Sequence, residues 1–363
     1  MAQLIETGTC RVAVIGYGIG GAVFHCPLVA AVPGMTVSAI VTRSEEKVAQ
    51  ARRDFPAARI LSSAEEILAN AGDYDLVVVT SPNRYHFPQA KAALEAGLNV
   101  VIDKPMATNS ADCRALIELA KKEKKTLSVF QNRRLDGDFL TVRKIIEDNL
   151  LGKIVRFESR FERYRPQSRP GAWRERGTLD DGGGLLFDLG SHLIDQACFL
   201  FGRPLDVYCE LDKRRAEVET DDDCFVALSF ANGVRAHLWA SVMCRIKGPR
   251  FRLLGVRGSF EKYGLDPQED ALRAGGRPGE NGWGSEVEGQ YGTVHTDVDG
   301  LTVQGKVETI AGAYQNYYRD VLAAIGTPPN TAVLPVDPED AFTTTTIVEA
   351  AFRSANERCV VRL

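Results

Sequence analysis

The stretch Arg11-Val-Ala-Val-Ile-Gly16-Tyr17-Gly18-Ile19-Gly20-Gly21 decides the fold of this chain. It begins with an apolar run typical of a buried strand, and the glycines that follow have the spacing Gly-x-Gly-x-x-Gly. Residues 22–32 can form a helix directly afterwards, although Pro27 should start, bend or break part of it. A lone glycine pattern also occurs in ordinary turns, but strand, tight turn and helix in this order indicate a dinucleotide-binding turn.

The spaced glycines have different predicted roles in that turn. Gly16 makes the turn itself, Gly18 lets a pyrophosphate approach the backbone, and Gly21 lets the helix pack closely on the strand. The whole turn is therefore the first candidate cofactor contact: Gly16, Tyr17, Gly18, Ile19, Gly20 and Gly21.

Strands and helices alternate from this turn as far as residue 130. After the first apolar run, the predicted strands are 36–41, 59–61, 75–80, 99–102 and 126–130. The predicted helices between them are 44–55, 63–70, 85–96 and 111–125. This alternation predicts an α/β fold with a doubly wound parallel sheet. In such sheets the ligand lies outside the carboxyl ends of the strands.

The residues at these strand ends are further candidates for binding the cofactor. They are Arg43, Ser44, Thr80, Ser81, Pro82, Asn83, His86, Asp103, Lys104 and Asn132. His86 is ambiguous, because it can line a nicotinamide pocket or merely begin the next helix. Lys104 is the most informative, because Pro105 keeps it out of the helical region and so extends it from the strand tip. It could transfer a proton or polarise a carbonyl, or it could be an ordinary solvated lysine.

The end of the second strand predicts the choice of cofactor. Rossmann domains specific for NAD place Asp or Glu there, on the ribose hydroxyls. Here the tip is Thr42-Arg43-Ser44, and Arg43 could pair with a 2′-phosphate beside the Ser44 hydroxyl. The alternative is a solvated Arg43, with Glu45 or Glu46 reaching the ribose, but both glutamates also suit the first turn of a helix. We therefore expect NADP(H), with NAD as the possible alternative.

The alternation ends after Asn132, which predicts a Rossmann domain over 1–132 and a second domain over 133–363. Predicted helices of the second domain are 136–149, 185–201, 314–325 and 338–357. Its predicted strands are 154–164, 206–212, 223–230, 234–242, 251–255, 258–263 and 303–310. They indicate a largely antiparallel open sheet, with helix 185–201 packed on it. Residues 266–300, rich in Gly, Pro and acids, are expected to form a long loop.

Residues 182–196, Gly-Gly-Gly-Leu-Leu-Phe-Asp-Leu-Gly-Ser-His-Leu-Ile-Asp-Gln, carry the second candidate site. The apolar spacing predicts a buried helix, yet Asp188, His192 and Asp195 form a row along one edge of it. Buried charge needs a partner or a purpose. In the first interpretation, His192 is an acid/base residue that opens toward a cleft and is oriented by its carboxylate neighbour. In the second, Asp188 favours the N-terminal dipole of the helix and His192 is a core histidine with its hydrogen bonds made.

The bulk composition excludes several classes of protein. The formal net charge is −4, which gives no basis for nucleic-acid binding, and no apolar run approaches a membrane span. The N-terminus lacks the features of a signal peptide. The eight cysteines lie singly, so neither a metal site nor a disulfide framework is indicated. We therefore expect a reduced, cytoplasmic protein.

Taken together, the motifs resemble the Gfo/Idh/MocA oxidoreductases, with Asp103-Lys104-Pro105 for the family's Glu-Lys-Pro and Asp188-x-Gly190-x-His192-x-x-Asp195 as the second motif. The resemblance is closest to the branch of NADP-dependent scyllo-inositol dehydrogenases. It is carried there by Val129-Phe-Gln-Asn-Arg-Arg134, Trp173-Arg174-Glu175 and Lys262-Tyr-Gly-Leu-Asp-Pro-Gln-Glu-Asp270. It implies a Rossmann domain, a second α/β domain with a large open sheet, and a homodimer or homotetramer formed through that sheet.

The resemblance also implies roles for single residues. Lys104, Asp188 and His192 correspond to the catalytic set, while Trp173 and Arg174 correspond to residues that reach the nicotinamide end; no metal is implied. The leading hypothesis is an NADP-dependent dehydrogenase or reductase of a cyclic polyol or sugar. A second hypothesis keeps the fold but changes the substrate to an acyclic or imine-type carbonyl compound. A third is a dinucleotide-binding regulator, which would have no use for the three catalytic residues.

Overall fold

The computed structural model describes residues 8–168, 173–178, 181–327 and 333–363, apart from the side chains of Trp173 and Arg174. These residues cluster into two units. The first comprises Met1–Asn132, Gln268–Trp283 and Ala313–Phe342, and the second comprises Arg133–Pro267, Gly284–Gly312 and Thr343–Leu363. The chain thus leaves the first unit after Asn132 and later contributes further segments to it.

Six parallel strands form the sheet of the first unit: β1 Cys10–Ile15, β2 Met35–Val41, β3 Arg59–Leu61, β4 Leu76–Val79, β5 Asn99–Asp103 and β6 Leu127–Phe130. Their order is β3-β2-β1-β4-β5-β6, and each neighbouring pair is parallel. The predicted doubly wound sheet is confirmed. Strand β4 is buried along its whole length, because its apolar, β-branched residues suit a strand covered on both faces.

The helices are, in chain order, α1 Cys26–Ala30, α2 Glu45–Asp54, α3 Ala64–Ala69, α4 His86–Glu95, α5 Ser110–Glu123, α6 Gly137–Glu147, α7 Trp173–Arg176, α8 Ser191–Phe201, α9 Gln268–Arg273, α10 Gln315–Ile325 and α11 Pro338–Glu357. Local sequence explains where several of them begin. Asn109 caps α5 by accepting from the Asp112 amide, and Ser63 and Glu66 form a capping box on α3. Within the described ranges, none of the helices is long and apolar enough to cross a membrane.

The helix after the glycine turn begins as a π-helical segment, Gly20–His25, and continues as α1. Pro27 lies in the first turn of α1, where a missing backbone N–H costs little. It therefore starts the regular α-helix, one of the outcomes expected from the sequence. The helix of the second candidate site is built in the same way, since a π-helical segment, Leu186–Gly190, leads into α8. Such π-helical segments are frequent at functional sites.

The sheet of the second unit has nine strands: β7 Ile154–Glu162, β8 Pro204–Asp212, β9 Asp223–Phe230, β10 Arg235–Ser241, β11 Phe251–Gly255, β12 Gly258–Lys262, β13 Gly292–Val298, β14 Leu301–Val307 and β15 Val361–Arg362. Their order is β14-β13-β12-β11-β7-β10-β9-β8-β15. Only the β10–β7 pair is parallel among these described pairs. The predicted open, mostly antiparallel sheet is confirmed, and the C-terminal β15 is an addition to it.

The prediction of a long loop over 266–300 is wrong. The segment contains α9 and also β13, which forms a hairpin with β14. β13 has the sequence Gly-Thr-Val-His-Thr-Asp-Val and is buried on one face only. Its pairing partners give it a structure that its polar composition does not favour, because tertiary pairing overrides weak strand propensity. Gly292 is required there, since a Cβ would lie 2.3 Å from the Phe260 ring.

Helix α8 packs on the sheet and forms the core of the second unit. Leu193, Ile194 and Ala197 are at most 1% exposed, and they pack in one cluster with Phe157 and Phe251. Each fully buried side chain of this size contributes about 1.5–3 kcal/mol. The helix that carries His192 is therefore held by a large apolar contact, as the apolar spacing of residues 185–201 predicts.

Candidate active site

The glycine turn has the geometry of a dinucleotide cradle. Gly16 has φ 108°, and a Cβ on it would lie 2.8 Å from the Thr80 carbonyl oxygen. A Cβ on Gly21 would lie 2.1 Å from the Gly16 oxygen, so only glycine lets the helix approach the strand. Gly18 instead has nothing within 4 Å of its Cβ position. Open space over a glycine amide is what a pyrophosphate needs.

Tyr17 and Gly20 have additional structural reasons for their identity. The Tyr17 side chain is 2% exposed, and its hydroxyl donates to Asp54 at 2.9 Å. Because the Tyr17 ring is buried in the protein, we expect its backbone to make any contact with a cofactor. A Cβ on Gly20 would lie 2.0 Å from Thr80 Oγ1 and 2.9 Å from Asp103 Oδ2. Ile19, by contrast, is 54% exposed beside the turn.

The tip of β2 presents an exposed arginine and a free capping position. Arg43 is exposed, and its Nε donates to the Ser62 carbonyl at 3.0 Å. Ser44 precedes α2 as its N-cap, as the sequence predicts, but its side chain makes no capping hydrogen bond. Glu45 and Glu46 lie in the first turn of α2, where the helix dipole favours them.

The end of β4 offers backbone groups, not charged side chains, to a cofactor. Thr80 packs its carbonyl against Gly16, and Ser81 donates from Oγ to Gln89 Oε1 at 2.7 Å. Asn83 is buried, whereas Pro82 is exposed. Asn132 is buried and begins the short 3₁₀ turn after β6.

His86 connects two of the predicted cofactor loops. Its Nδ1 lies 2.7 Å from the Pro105 carbonyl oxygen and its Nε2 lies 2.8 Å from the Ser81 carbonyl oxygen. The side chain is 1% exposed, and burial lowers the pKa of His86 against the opposing charge of Asp103. His86 begins α4, and its ring holds both loops together. Its contact with the cofactor stays a prediction.

Asp103 anchors the backbone that carries Lys104. Its Oδ1 accepts from the Lys104 amide at 2.8 Å, and its Oδ2 accepts from Thr80 Oγ1 at 3.3 Å and lies 3.6 Å from His25 Nε2. Burial alone would raise the pKa of Asp103. The nearby His25 imidazole, with His86 and the Lys104 ammonium, outweighs it and holds that pKa at about 2. The peptide bond between Lys104 and Pro105 is cis.

His25 is a site residue that no sequence signal identified. It is fully buried, its ring lies 4.5 Å from that of Phe130, and its Nδ1 lies 2.5 Å from the Tyr318 hydroxyl. A single histidine in an apolar stretch looks like any core histidine, and Tyr318 is distant in sequence. Only the fold brings this pair to Asp103.

In the second unit, Asp188 and His192 lie on consecutive turns of one helix. Asp188 belongs to the π-helical segment and is half-buried, while His192 opens α8 and is 5% exposed. The His192 ring lies with its edge toward Phe161 at a centroid distance of 6.5 Å. Residues one turn apart share a helix face, so we expect both side chains along one edge of this helix.

The start of this helix is fixed by Asp221, which the sequence does not reveal. Its Oδ2 accepts from the Leu186 amide at 2.7 Å. Burial raises the pKa of Asp221 to about 6, although the hydrogen bonds that it accepts act in the opposite direction. A Cβ on Gly184 would lie 2.0 Å from Asp221 Oδ1, which explains a glycine there.

Asp195, the third member of the row, is occupied by an ion pair. Arg134 donates to both of its carboxylate oxygens, at 2.7 and 2.6 Å. The stretch 262–270, which also carries the family resemblance, makes contacts within the second unit as well. Lys262 pairs with Glu286 at 3.0 Å, and Asp266 accepts from the Gly137 amide at the start of α6 at 2.7 Å. Trp173 and Arg174 lie in α7, and their side chains fall outside the described residues.

The fold and these residues define an oxidoreductase with a dinucleotide-binding Rossmann domain. Residues 10–131 match the family described as "Oxidoreductase family, NAD-binding Rossmann fold", and residues 143–363 match its "C-terminal alpha/beta domain". The chain belongs to the Gfo/Idh/MocA oxidoreductase family.

Several relatives are similar over nearly the whole chain. The chain is 36% identical to the scyllo-inositol 2-dehydrogenase (NADP(+)) IolW of Bacillus subtilis, over 99% of this chain and 97% of the relative. It is 37% identical to the Escherichia coli oxidoreductase YdgJ, over 97% and 98%. Among solved structures, the oxidoreductase yvaA from Bacillus subtilis superposes with a TM-score of 0.91 at 36% identity, covering 98% of each chain.

Proposed function

We propose that the protein is an NADP-dependent oxidoreductase that transfers a hydride between the nicotinamide and a hydroxyl or carbonyl carbon of a cyclic polyol or sugar. The observation that carries the proposal is the dinucleotide cradle of the first unit, with open space over Gly18, in a chain that also has Lys104, Asp188 and His192. A protein that only binds dinucleotide has no need of that set.

The proposed chemistry divides between these three side chains. When bound, the nicotinamide supplies the hydride acceptor or donor. His192 takes the proton of the substrate hydroxyl as the carbon is oxidised, and returns it in reduction. Lys104 donates a hydrogen bond to the same oxygen and stabilises its developing negative charge. Asp188, one turn before His192, orients and tunes the imidazole.

The substrate class rests on the named relatives. IolW is named a scyllo-inositol 2-dehydrogenase, and a Corynebacterium glutamicum protein named inositol 2-dehydrogenase is 31% identical over 40% of this chain. We therefore place a ring polyol ahead of acyclic and imine substrates. Because substrate hydroxyls are recognised by residues that vary within a fold, the substrate needs direct measurement.

A panel of inositols, inososes and aldoses, each assayed with NADP(H) and NAD(H) by the absorbance of the reduced cofactor, tests this function. We expect turnover of at least one ring polyol or its ketone with NADP(H). Turnover confined to acyclic carbonyl or imine substrates would replace the substrate class. Tight dinucleotide binding without turnover of any compound would favour the regulator hypothesis instead.

The exposed Arg43 should set the preference for NADP(H). Hydrogen bonds to charged groups are worth roughly 1.5–3 kcal/mol, so an Arg43 contact with the 2′-phosphate should favour NADP(H) by about ten- to a hundredfold. We expect Arg43→Ala to remove most of that preference when kcat/KM is measured with both cofactors. Arg52→Ala, in the last turn of α2, is the matched control. A wild type that prefers NAD(H), or equal losses with both cofactors, would contradict the assignment.

We also propose that the protein is a homodimer or homotetramer in a reducing, cytoplasmic environment. Phe225 and Trp239 pack at 5.2 Å on a face of the nine-stranded sheet, and the Arg160 guanidinium lies 4.0 Å over Trp239. Trp239 alternates along β10 with the buried Ala236 and Leu238, so it lies on the opposite face of the sheet. Phe225 of β9 and Arg160 of β7 are its direct partners on the two neighbouring strands, which places them on the same face. All eight cysteines are free thiols, which suits such a compartment.

Light scattering at micromolar concentration should therefore give the mass of a dimer or tetramer. Trp239→Glu should weaken the assembly, because it places a charge on an aromatic contact surface. Val287→Glu, which alters a residue 70% exposed elsewhere in the unit, should leave the assembly unchanged. A wild type that is strictly monomeric would refute this part of the proposal.

A further inference from the structure

A buried ion pair joins the beginning of the second unit to α8. Arg134 donates from Nε and Nη2 to Asp195, at 2.7 and 2.6 Å. The two side chains are 7% and 2% exposed. The guanidinium also lies 4.7 Å from the ring centroid of Phe199, further along α8. A planar, bidentate contact of this kind restrains both side chains, which a single hydrogen bond does not.

The next residue of α8 is held by a second set of contacts. Gln196 donates from Nε2 to the Arg133 carbonyl at 2.8 Å, and its Oε1 accepts from Arg250 Nη2 at 2.9 Å. Arg250 is itself 2% exposed and donates to Ser159 Oγ at 2.5 Å. Polar contacts through Asp195 and Gln196 thus restrain one turn of an otherwise apolar helix.

His192 lies one turn before this anchored position. Residues three apart on a helix have Cβ atoms about 5–6 Å apart, so His192 and Asp195 are neighbours on one face. The His192 ring also meets Phe161, over which the guanidinium groups of Arg250 and Arg133 lie at 3.9 and 5.5 Å. Helix spacing places Asp188 and Asp195 near His192, and the Phe161 ring brings Arg133 and Arg250 near it. Arg134 lies on Asp195, and Asp138 Oδ2 lies 3.6 Å from Arg250 Nε.

We propose that Arg134 is a positioning residue for His192 and acts through Asp195. The ion pair fixes the rotation of α8 about its axis and cancels the charge of a carboxylate that lies one turn from the imidazole. This inference rests on the proposed function, in which His192 moves the substrate proton. It goes beyond that function by naming the charges that set the protonation equilibrium of His192.

Removing either partner should shift the His192 titration in opposite directions. Arg134→Met removes the cation that donates to both Asp195 oxygens, which favours the imidazolium and moves the titration midpoint to higher pH. Asp195→Asn removes the negative charge one turn from His192 and keeps the Arg134 cation, which disfavours the imidazolium and moves the midpoint to lower pH. A unit charge about 6 Å away, at an effective dielectric constant near 20, corresponds to a shift of about one to two pH units.

The double variant Arg134→Met/Asp195→Leu removes both charges and should restore the wild-type midpoint. Arg134→Lys keeps the charge without the bidentate geometry, so it should lower kcat while shifting the midpoint little. The matched control is Arg143→Met, which breaks an exposed pair with Glu147 near the same Phe199 ring and should change neither quantity.

NMR titration of ¹³C-labelled histidine measures the midpoint without any substrate. The chain has five histidines, and His192→Ala assigns the relevant signal. Thermal unfolding confirms that each variant is folded, and the acid limb of kcat/KM should move with the midpoint. Because the titration does not need turnover, failure of the proposed function would leave this result readable.

Opposite shifts in the two single variants, cancelled in the double variant, would support the proposal. Shifts in the same direction, or no shift in variants that fold, would overturn it and leave the pair a purely structural contact. Oppositely shifted NMR midpoints with an unmoved acid limb would overturn the link to catalysis.

Discussion

Replacing Lys104 by methionine is expected to abolish turnover while leaving cofactor binding largely intact. Lys104 follows β5 directly, and its amide donates to Asp103 Oδ1 at 2.8 Å, so the backbone should keep its position without the ammonium group. The lost interaction is the one that would stabilise charge on the substrate oxygen. Loss of one positioned proton-transfer or charge-stabilising group typically lowers the rate by ~10²–10⁴.

The measurements for this variant are kcat with the best substrate of the panel and the dissociation constant of NADPH by fluorescence. Lys91→Met is the matched control, because Lys91 pairs with Glu95 on the surface of α4 and should be dispensable. If the Lys104 variant kept more than about a tenth of wild-type kcat, Lys104 would have no part in the chemistry.

His192→Ala should lower kcat by a similar factor, ~10²–10⁴, and should remove the acid limb of the pH–rate profile. The reason is that the imidazole is the only one of the three proposed catalytic groups whose ordinary pKa lies in the range where enzymes are assayed. His295→Ala is the control, since His295 is exposed on β13.

The pH dependence also separates His192 from Asp188. Asp188→Asn should retain an acid limb, displaced because the imidazole loses a nearby carboxylate. An acid limb that survives in His192→Ala but moves in Asp188→Asn would reverse the two assignments. The Asp103 carboxylate does not contribute to the acid limb, because its pKa of about 2 keeps it ionised throughout the assay range.

Much of the fold follows from local patterns in the chain. The β-branched runs of β4 and β5 favour strands buried on both faces. The glycine spacing at residues 16–21 follows from local steric limits, because a Cβ at Gly16, Gly20 or Gly21 would clash with a neighbouring atom. The apolar spacing of residues 185–201 predicts the helix that carries His192. Each of these signals lies within a short segment, where neighbours in sequence are also neighbours in space.

The sequence was least informative where a partner lies far along the chain. β13 is a strand because β12 and β14 lie beside it, not because of its own polar composition. Its pairing satisfies backbone groups that an isolated segment would leave to water. A composition rich in Gly and acids therefore misled the loop prediction for this region.

The polar partners of the candidate site show the same division. By itself, the sequence determined the Rossmann sheet, the glycine turn, the place of Lys104 at a strand tip and the helical spacing of Asp188 and His192. Only the tertiary structure decided that His25 and Tyr318 lie behind Asp103, and that Arg134 pairs with Asp195. The physical reason is that a buried charge must find a partner within a few ångströms. Which partner it finds depends on how distant segments pack, and no local pattern records that packing.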